Sequence, residues 1–367
     1  MTGKRFFLTS LILVLGMLLV FGMTVFVVDP FFHYRAPNRS LYYKLYDQRS
    51  QNDGITRFFD YDSIITGTSM AENFKASTFD ELMDTKSIKV SYSGATYKEL
   101  NDNLKVAYES GHEVRYVLRP LDYSLLIVDK DEIRTDMGEY PVWLTNNNPF
   151  DDVKYLLNRE VIINYTLPVL SGFFKGQEGG YTSFDEYSYT GDQNTFCKQN
   201  ALIGIEYFTD DAVQLPASED DINVLSQNME QNVVALARQH PETTFLYFFP
   251  PYSMAYWGKL RNEGTLEQML DYKKLAIDQM LECDNIHIYS FSLYADITEN
   301  LENYRDMAHY SPEVNEIIIE NIAAAEKASD DHYLQYGRIT RSNVEDYLEM
   351  EKNYLETFDY TKLLEEE

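Results

Sequence analysis

Short apolar runs alternate with helix-compatible stretches through most of the chain after residue 60. The runs have the length and the β-branched or aromatic content of buried strands, while the stretches between them carry apolar residues at helical spacing. Strands that alternate with helices in this way predict an α/β domain, whose mostly parallel sheet is covered on both faces. Five strands are predicted, at 61–66, 88–92, 114–118, 244–249 and 285–291.

Amphipathic segments fill the intervals between the predicted strands. In one of them, Leu100, Leu104 and Ala107 share one face of a helix. Pro312 suits the first turn of the last helix, where its missing N–H has no intrahelical partner to lose. The predicted helices are 70–83, 97–109, 225–238, 266–281 and one that starts after Pro312, all inside a domain at 60–328.

Two segments depart from the alternation. Between about 128 and 215 the chain is rich in Asn, Gly, Tyr and Asp and lacks long periodic runs. A stretch of this length is too long for a plain loop, so we expect an insertion with structure of its own. It could be a lid or substrate platform, or a decoration without either role. Residues 329–367 are charged and helix-prone, and we expect them to form a peripheral acidic tail.

The N-terminus carries a candidate membrane anchor. Residues 6–28 contain no charge and would rise about 35 Å as a helix, enough for a hydrocarbon core of about 30 Å. Lys4 and Arg5 precede the segment, which predicts a cytoplasmic N-terminus at 1–5, a transmembrane helix and an extracytoplasmic remainder. An aromatic juxtamembrane segment follows at 29–59.

A cleaved signal peptide is the alternative interpretation of this segment. Its apolar region would normally be shorter, and small residues would mark the cleavage site. The exit from the apolar run reads Thr-Val-Phe-Val-Val-Asp-Pro, which has no such pair of small residues. Both interpretations export the rest of the chain.

The charge of the chain argues against nucleic acid as a partner. Its 31 Lys and Arg against 59 Asp and Glu give a net charge of −28, which repels phosphate backbones. The 30 tyrosines suit flat ligands such as sugars if exposed, and ordinary packing is the alternative. Cys197 and Cys283 are the only cysteines, so they could pair or remain as buried thiols. No clustered His or Cys ligands occur, and we predict no metal site and no cofactor.

Candidate chemistry lies at the strand ends. In parallel α/β sheets, ligands bind beyond the carboxyl ends of the strands. Ser69 follows the first predicted strand, Gly94 the second, and Asp306 and His309 the fifth. A serine in a strand-to-helix turn is exposed, and the N-terminus of the helix would favour negative charge developing beside it.

His309 is the one histidine of six that we place at this end of the sheet. A catalytic base needs a group that orients it, and Asp306 stands three residues upstream, within reach of the imidazole. The alternative is a solvated Asp–His pair that caps the last helix. The other histidines are placed beside the membrane, in helix-to-strand connections, within a strand or in the tail: His33, His112, His240, His287 and His332.

These blocks resemble the SGNH (GDSL-type) hydrolase superfamily over residues 61–325. Ile-Ile-Thr-Gly-Thr-Ser69-Met is similar to its first block, with Thr68 in place of the usual Asp, and Ser-Tyr-Ser-Gly94-Ala-Thr to its second. Asp306-Met-Ala-His309 is similar to the last. The resemblance implies a three-layer flavodoxin-like fold, a Ser69–His309–Asp306 triad, and an oxyanion hole formed by the N–H groups of Ser69 and Gly94.

The third block departs from the family pattern. The third strand ends Leu-Arg119-Pro-Leu-Asp122-Tyr, without the Gly-x-Asn-Asp that would supply another oxyanion donor. Asn73, four residues after Ser69, is our candidate replacement, and a helix-surface position is the alternative. We expect Asp122, Tyr252 and Trp257 to bind substrate, although loop packing would explain the two aromatic residues equally well.

This departure resembles the membrane-anchored relatives that aid D-alanylation of teichoic acid or acetylate alginate. The resemblance implies an extracytoplasmic serine esterase or O-acyltransferase for a cell-surface polysaccharide or teichoic-acid-like polymer. It also implies a membrane-bound O-acyltransferase as partner. The alternative, suggested by the incomplete third block and the long insertion, is a non-catalytic, membrane-anchored protein for polysaccharide binding or assembly.

Overall fold

The chain folds into two compact units. In the computed structural model, one unit comprises Met1–Asp60 and Thr135–Ser183, and the other comprises Tyr61–Arg134 and Phe184–Glu367. The structure describes residues 3–136, 141–146, 148–209, 212–328 and 333–365.

The larger unit is built on a mostly parallel sheet. Its strands are β1 (Ser63–Gly67), β2 (Ser87–Ser91), β3 (Tyr116–Pro120), β4 (Thr244–Phe249), β5 (Ile286–Ser290) and β6 (Arg338–Ile339). The order across the sheet is β2-β1-β3-β4-β5-β6, with the first five parallel and β6 antiparallel to β5. Every residue of β1 and β2 is buried, so both faces are covered. The predicted α/β class with a mostly parallel sheet is confirmed.

The prediction of five strands was wrong, because a sixth comes from the segment expected to be a peripheral tail. β6 has only two residues, too few to show an apolar period in the sequence. The helix that follows it, Val344–Thr357, buries Tyr347, Glu351 and Leu355. The tail therefore completes the α/β unit.

The helices of this unit form two packed groups. Ala76–Met83 contacts Pro312–Lys327, while Glu219–Met229 contacts Leu266–Met280. Crossover connections between parallel strands are right-handed, so the direction of a connection along the sheet decides which face its helix covers. The connection from β1 to β2 runs in the opposite direction to the later ones. The two groups of helices therefore cover opposite faces of the sheet. The remaining helical segments are Tyr97–Glu109, Lys198–Ala201, the π-helical Glu230–Val234, Ala235–Gln239, Met254–Glu263 and Ala295–Thr298, with short 3₁₀ turns at Ser69–Ala71, Tyr123–Leu125, Gly191–Gln193, Leu301–Asn303, Tyr333–Tyr336 and Tyr360–Leu364.

The smaller unit contains the N-terminal apolar helix, Gly3–Val28. By length and composition this helix could cross a membrane. Its C-terminal end joins an apolar cluster of Val25, Phe31, Leu144, Tyr155 and Val161. The other elements of the unit are the helices Gln48–Phe58, Val153–Leu156 and Leu167–Phe174, the π-helical Val161–Thr166, the 3₁₀ turn Val142–Leu144, and the parallel pair Tyr42–Tyr43 and Gly180–Tyr181.

The predicted insertion is divided between the units. Residues 135–183 fold with the juxtamembrane segment, while 184–215 belong to the α/β unit. Cys197 and Cys283 form no disulfide, and the alternative of buried thiols holds for Cys283 but not for Cys197, which is partly exposed.

A buried ion pair holds the C-terminal helix to the α/β unit. Lys273 Nζ lies 2.5 Å from Glu351 Oε1 and 2.7 Å from Ser290 Oγ, and neither charged side chain is exposed. Burial lowers the pKa of Lys273, and the charge of Glu351 opposes this. Because desolvation offsets much of the attraction in such a pair, the pair itself stabilises modestly, but loss of one partner leaves an uncompensated buried charge.

We expect Lys273→Met to lower the free energy of unfolding by about 3–5 kcal/mol, because it leaves the buried Glu351 carboxylate without a counter-charge. Lys273→Met combined with Glu351→Met should recover at least half of this loss, since the hydroxyls of Tyr347 and Ser290 still pair with each other. Urea unfolding of the full-length protein in detergent measures both changes. Lys274→Met, which removes an exposed pair with Asp278, is the control and should cost less than about 1 kcal/mol. A loss no larger than that of this control would contradict the expectation.

Candidate active site

Ser69 stands just past the carboxyl end of β1, at the start of a three-residue 3₁₀ turn. The α-helix begins only at Ala76, so the prediction of a helix over 70–83 was wrong in its first part. Lys89 of β2 explains the interruption, because its buried Nζ donates to the carbonyls of Glu72 (2.6 Å) and Phe74 (2.8 Å). Burial lowers the pKa of Lys89 to about 7. Without a helix beginning at Ser69, no full helix dipole acts there, and stabilisation of negative charge falls to individual N–H groups.

Gly67 allows the sharp exit from β1. Its φ is +152°, and a Cβ at this position would lie 2.7 Å from Pro120 Cγ and 2.8 Å from the Cβ of Ala71. Any side chain would therefore push the turn away from β3. The glycine places Ser69 just beyond the end of β1, the strand that lies between β2 and β3 in the sheet.

The structure brings Ser69, His309 and Asp306 together. Ser69 Oγ lies 2.7 Å from His309 Nε2, and His309 Nδ1 lies 2.7 Å from Asp306 Oδ2. An ionised carboxylate only accepts, so Nδ1 of the ring carries the proton and Nε2 is free to accept from the serine hydroxyl. The arrangement has the order nucleophile, base and orienting acid.

Asp306 is held ionised. Burial by itself would raise the pKa of this carboxyl, but the hydrogen bond and charge of His309 and the N–H groups of His309 and Ala308 outweigh burial and lower the pKa to about 2. Its contribution to stability is therefore present above the ordinary Asp pKa of 3.8, and it is lost as the pH falls through about 2. Because half of the side chain is exposed, solvent screening keeps this contribution small.

The loop that carries the Asp–His pair is fixed at both ends and in its middle. Tyr304 and Tyr310 form an antiparallel bridge across its base. Ser253, which follows β4, donates from its N–H (3.1 Å) and its hydroxyl (2.7 Å) to the carbonyl of Met307. The Tyr304 hydroxyl donates to Pro251 O at 2.6 Å. The sequence analysis missed Ser253, because its local signal is only that of a helix cap; the contact with Met307 is long-range.

Asp122 lies beneath the serine turn rather than on an open surface. It follows β3, is 6% exposed, and accepts hydrogen bonds from Thr68 Oγ1 at 2.9 Å and from the Tyr252 hydroxyl at 3.1 Å. Burial raises the pKa of Asp122, and these two hydrogen bonds, with the charge of His309, oppose the rise. The carboxylate therefore ties the residue before the nucleophile to the end of the neighbouring strand.

Tyr252 and Trp257 belong to a packed aromatic cluster. The Tyr123 ring lies 5.1 Å from that of Tyr252 and 5.0 Å from that of Trp257, in edge-to-face geometry. Trp257 is fully buried and Tyr252 is 5% exposed. The structure thus gives both residues the packing position that was the alternative to substrate binding, and Tyr252 in addition supports Asp122.

Hydrogen-bond donors without a partner in the described chain occur in the serine turn and in the turn after β2. Among the described residues, the backbone N–H groups of Ser69 and Gly94 form no hydrogen bond. Gly94 follows β2 in a left-handed turn with φ of +66°, and its carbonyl accepts from Arg134 Nη1 at 2.9 Å. Asn73 is 8% exposed and lies in the turn, so the helix-surface alternative does not apply. Its Oδ1 accepts from the Thr190 N–H at 2.9 Å, which leaves the amide nitrogen without a partner in the described chain.

The other histidines with described positions are engaged away from Ser69. His33 pairs with Asp152 in the smaller unit, and His287 pairs with Glu326. His112 and His240 stack on tyrosines near the amino ends of the strands, away from Ser69. His332 lies outside the described residues.

Comparison of the chain with protein-family models, with curated proteins and with solved structures gave no match. The interpretation of the site therefore depends on its own geometry.

We expect Thr68→Val to slow modification of Ser69 by a fluorophosphonate at least tenfold, because the turn loses its bond to Asp122 and small misplacements of a nucleophile are costly. The substitution should also lower the free energy of unfolding by about 1–3 kcal/mol, since a buried carboxylate oxygen loses its donor. Labelling rates and urea unfolding measure the two effects.

Thr66→Val is the matched control. Thr66 is buried in β1, two residues before Thr68, and its hydroxyl donates to Val90 O at 3.0 Å rather than to Asp122. It should destabilise the protein to a similar degree and leave the labelling rate within about twofold. Equal labelling rates in the two variants would show that the Thr68–Asp122 contact does not position the nucleophile.

Proposed function

We propose that this protein is a membrane-anchored, extracytoplasmic serine esterase or O-acyltransferase of SGNH type that acts on a cell-surface glycopolymer. The observation that carries the proposal is the hydrogen-bonded series Ser69–His309–Asp306, in which the distances are 2.7 Å at each step. A serine, an imidazole and an ionised carboxylate in this order form the constellation used for acyl transfer.

In the first half-reaction, Ser69 Oγ attacks the carbonyl carbon of an ester and its proton passes to His309 Nε2. Asp306 stabilises the imidazolium that forms and keeps the ring in place. The tetrahedral intermediate then expels the alcohol, which takes the proton from His309, and the acyl group remains on Ser69. In the second half-reaction, His309 removes a proton from water or from a sugar hydroxyl, and that oxygen attacks the acyl carbon. The tetrahedral intermediate then expels Ser69, whose oxygen takes the proton back from His309.

The negative oxygen of the tetrahedral intermediate needs fixed donors. We assign this role to the N–H groups of Ser69 and Gly94 and to the amide nitrogen of Asn73, for which the described part of the chain offers no hydrogen-bond partner. Asn73 is preorganised, because Thr190 holds its other amide atom. Donors that are fixed before reaction stabilise developing charge without paying for reorganisation.

The strand order supports the assignment to the SGNH type. The order 2-1-3-4-5 is that of flavodoxin-like sheets, in which the ligand site lies where the order reverses, between β1 and β3. Ser69 follows β1 and Asp122 follows β3, so the candidate site occupies this position. The antiparallel β6 is an addition at the far edge.

The charge of the chain narrows the proposed substrate. The net charge of −28 that disfavours nucleic acid also disfavours a long polyphosphate chain. Among cell-surface glycopolymers, we therefore favour neutral polymers or polymers that carry amines over bare teichoic acid. The apolar helix Gly3–Val28 would hold the enzyme beside such a polymer, where a membrane-bound O-acyltransferase could supply the acyl donor.

A fluorophosphonate probe tests the proposal directly. We expect the full-length protein to be labelled at Ser69, with labelling lost in Ser69→Ala and reduced at least 10²-fold in His309→Gln, because the alcohol then lacks its base. Intact-protein mass spectrometry with peptide mapping locates the label.

Ser110→Ala, at an exposed serine that ends the helix Tyr97–Glu109, is the control and should label like the wild type. A folded wild-type protein that is not labelled would overturn the proposal. If that protein still bound polysaccharide, the non-catalytic alternative would replace it.

The role of Asn73 is tested by Asn73→Asp, which keeps an acceptor for Thr190 and removes the donor. We expect hydrolysis of a small acetyl ester to fall by about 10²–10³-fold, mainly in kcat, because the lost bond forms to the transition state. Thr190→Val removes only the second, 3.3 Å contact to Asn73 and should reduce the rate less than about threefold. Equal effects of the two substitutions would indicate that Asn73 merely anchors its neighbouring loop.

A further inference from the structure

The helical segment Val161–Phe174 of the smaller unit exposes apolar side chains although it is not the predicted anchor. Its fourteen residues contain no Asp, Glu, Lys or Arg. Leu167 is 49% exposed and Phe174 is 81% exposed, and Ile163 and Phe173 are exposed to a similar degree as Leu167. A helix on the surface of a soluble domain normally presents its polar face outward. Exposed apolar side chains grouped on one element mark an interaction surface.

Three of the four polar side chains of this segment donate hydrogen bonds to the protein, and the fourth, Ser171, is exposed. The Tyr165 hydroxyl donates to Asp47 Oδ2 at 2.7 Å, and the Thr166 hydroxyl donates to Val161 O at 3.0 Å. The Asn164 amide donates to Glu160. The segment therefore has little need of water as a hydrogen-bond partner, which suits an apolar environment.

The same segment packs against the end of the N-terminal apolar helix. Val161 shares a buried cluster with Val25 and Phe31, and a Cβ at Gly22 would lie 3.5 Å from Leu157 Cδ2. The exposed apolar surface of Val161–Phe174 is thus adjacent to the exposed apolar surface of Gly3–Val28. Continuity with a surface made for lipid argues that the same medium covers both.

Aromatic side chains mark the depth at which the two elements meet. The Phe31 ring lies 4.6 Å from that of Tyr165 and 5.4 Å from that of Tyr155. Trp143 packs against the same cluster. Tyrosine and tryptophan are enriched where a membrane meets water, because one end of each side chain is apolar and the other forms hydrogen bonds.

We propose that Val161–Phe174 lies in the outer interface of the membrane, with Leu167, Phe173 and Phe174 inserted among the acyl chains. Fourteen residues rise only about 21 Å as a helix, too little to span a core of about 30 Å, so the segment lies on the bilayer rather than crossing it. Arg159 and Lys175 near its two ends suit the phosphate groups of lipids, and Glu160, which directly precedes the segment, accepts a hydrogen bond from Asn164. The proposal rests on the proposed membrane anchor. Two attachments fix the tilt of the smaller unit, which one helix alone would leave free.

Spin labels on the full-length protein test the proposal. With Cys197→Ser and Cys283→Ser as background, a nitroxide is attached at Leu167→Cys or Phe174→Cys, and the protein is reconstituted into vesicles of phosphatidylcholine and phosphatidylglycerol. Collision rates with oxygen, which enters lipid, and with a nickel chelate, which stays in water, report the environment. Leu19→Cys on the anchor and Glu349→Cys on the acidic C-terminal helix are the lipid and water controls, and both positions are exposed.

We expect the ratio of oxygen to nickel collisions at Leu167 and Phe174 to be several-fold higher than at Glu349 and to approach that at Leu19. A ratio at both positions equal to that at Glu349 would place the segment in water and overturn the proposal. Low collision rates with both reagents, with spin–spin broadening that grows with the protein-to-lipid ratio, would show that a second copy covers the segment and would also overturn it. A water-like ratio at Leu19 would show that the N-terminal helix is not in lipid and would overturn the proposed anchor together with this inference. Labelling of Ser69 would then test the enzymatic proposal separately.

Discussion

The buried hydrogen bond between Thr68 and Asp122 is the constraint on which the candidate site depends. It joins the residue before Ser69 to the end of β3, across the point where the order of the sheet reverses. A carboxylate buried to this extent must find donors, and it finds them in Thr68 and Tyr252. The requirement to satisfy one buried acid thus sets the position of the nucleophile turn, while Gly67 removes the side chain that would oppose it.

The other half of the site depends on a loop far away in sequence. Ser69 and His309 are 240 residues apart, and their hydrogen bond forms only because both loops are held above the same edge of the sheet. Just after β4, Ser253 donates a hydrogen bond to the Met307 carbonyl, and Pro251 accepts one from the Tyr304 hydroxyl. These two bonds hold the loop that carries Asp306 and His309. Lys89 secures the serine side by binding two carbonyls that a continuous helix would have used itself. The site is therefore supported by β1, β2, β3 and β4 together, and this shared support preorganises it.

The smaller unit exposes apolar side chains on a helical segment other than its N-terminal helix. Along Val161–Phe174, Leu167 and Phe174 are exposed, while the Tyr165 hydroxyl bonds to Asp47 within the protein. In the α/β unit, by contrast, β1 and β2 are buried on both faces. The exposed apolar surface of Val161–Phe174 is the observation behind the proposed attachment of the segment to lipid.

The sequence by itself determined the elements with strong local signals. Two elements have the predicted bounds, the strand Thr244–Phe249 and the helix Tyr97–Glu109. Their local sequences, a continuous apolar run and a capped amphipathic pattern, are sufficient to determine where each begins and ends. The α/β class follows from the same alternation, and the positions of Ser69, Asp306 and His309 after strands predicted the end of the sheet at which these three side chains meet.

Only the tertiary structure decided what depends on contacts between distant residues. The two-residue strand β6 has no period of its own and exists because β5 offers it an edge. Trp257 and Tyr252 could have been surface or core residues, and the aromatic cluster around Tyr123 buries them. Asp122 accepts a hydrogen bond from Thr68, and Lys89 binds the carbonyls of the turn that precedes the helix at Ala76. Each buried polar or charged group must pair with a group that the fold brings near it, and a local sequence pattern does not encode that partner.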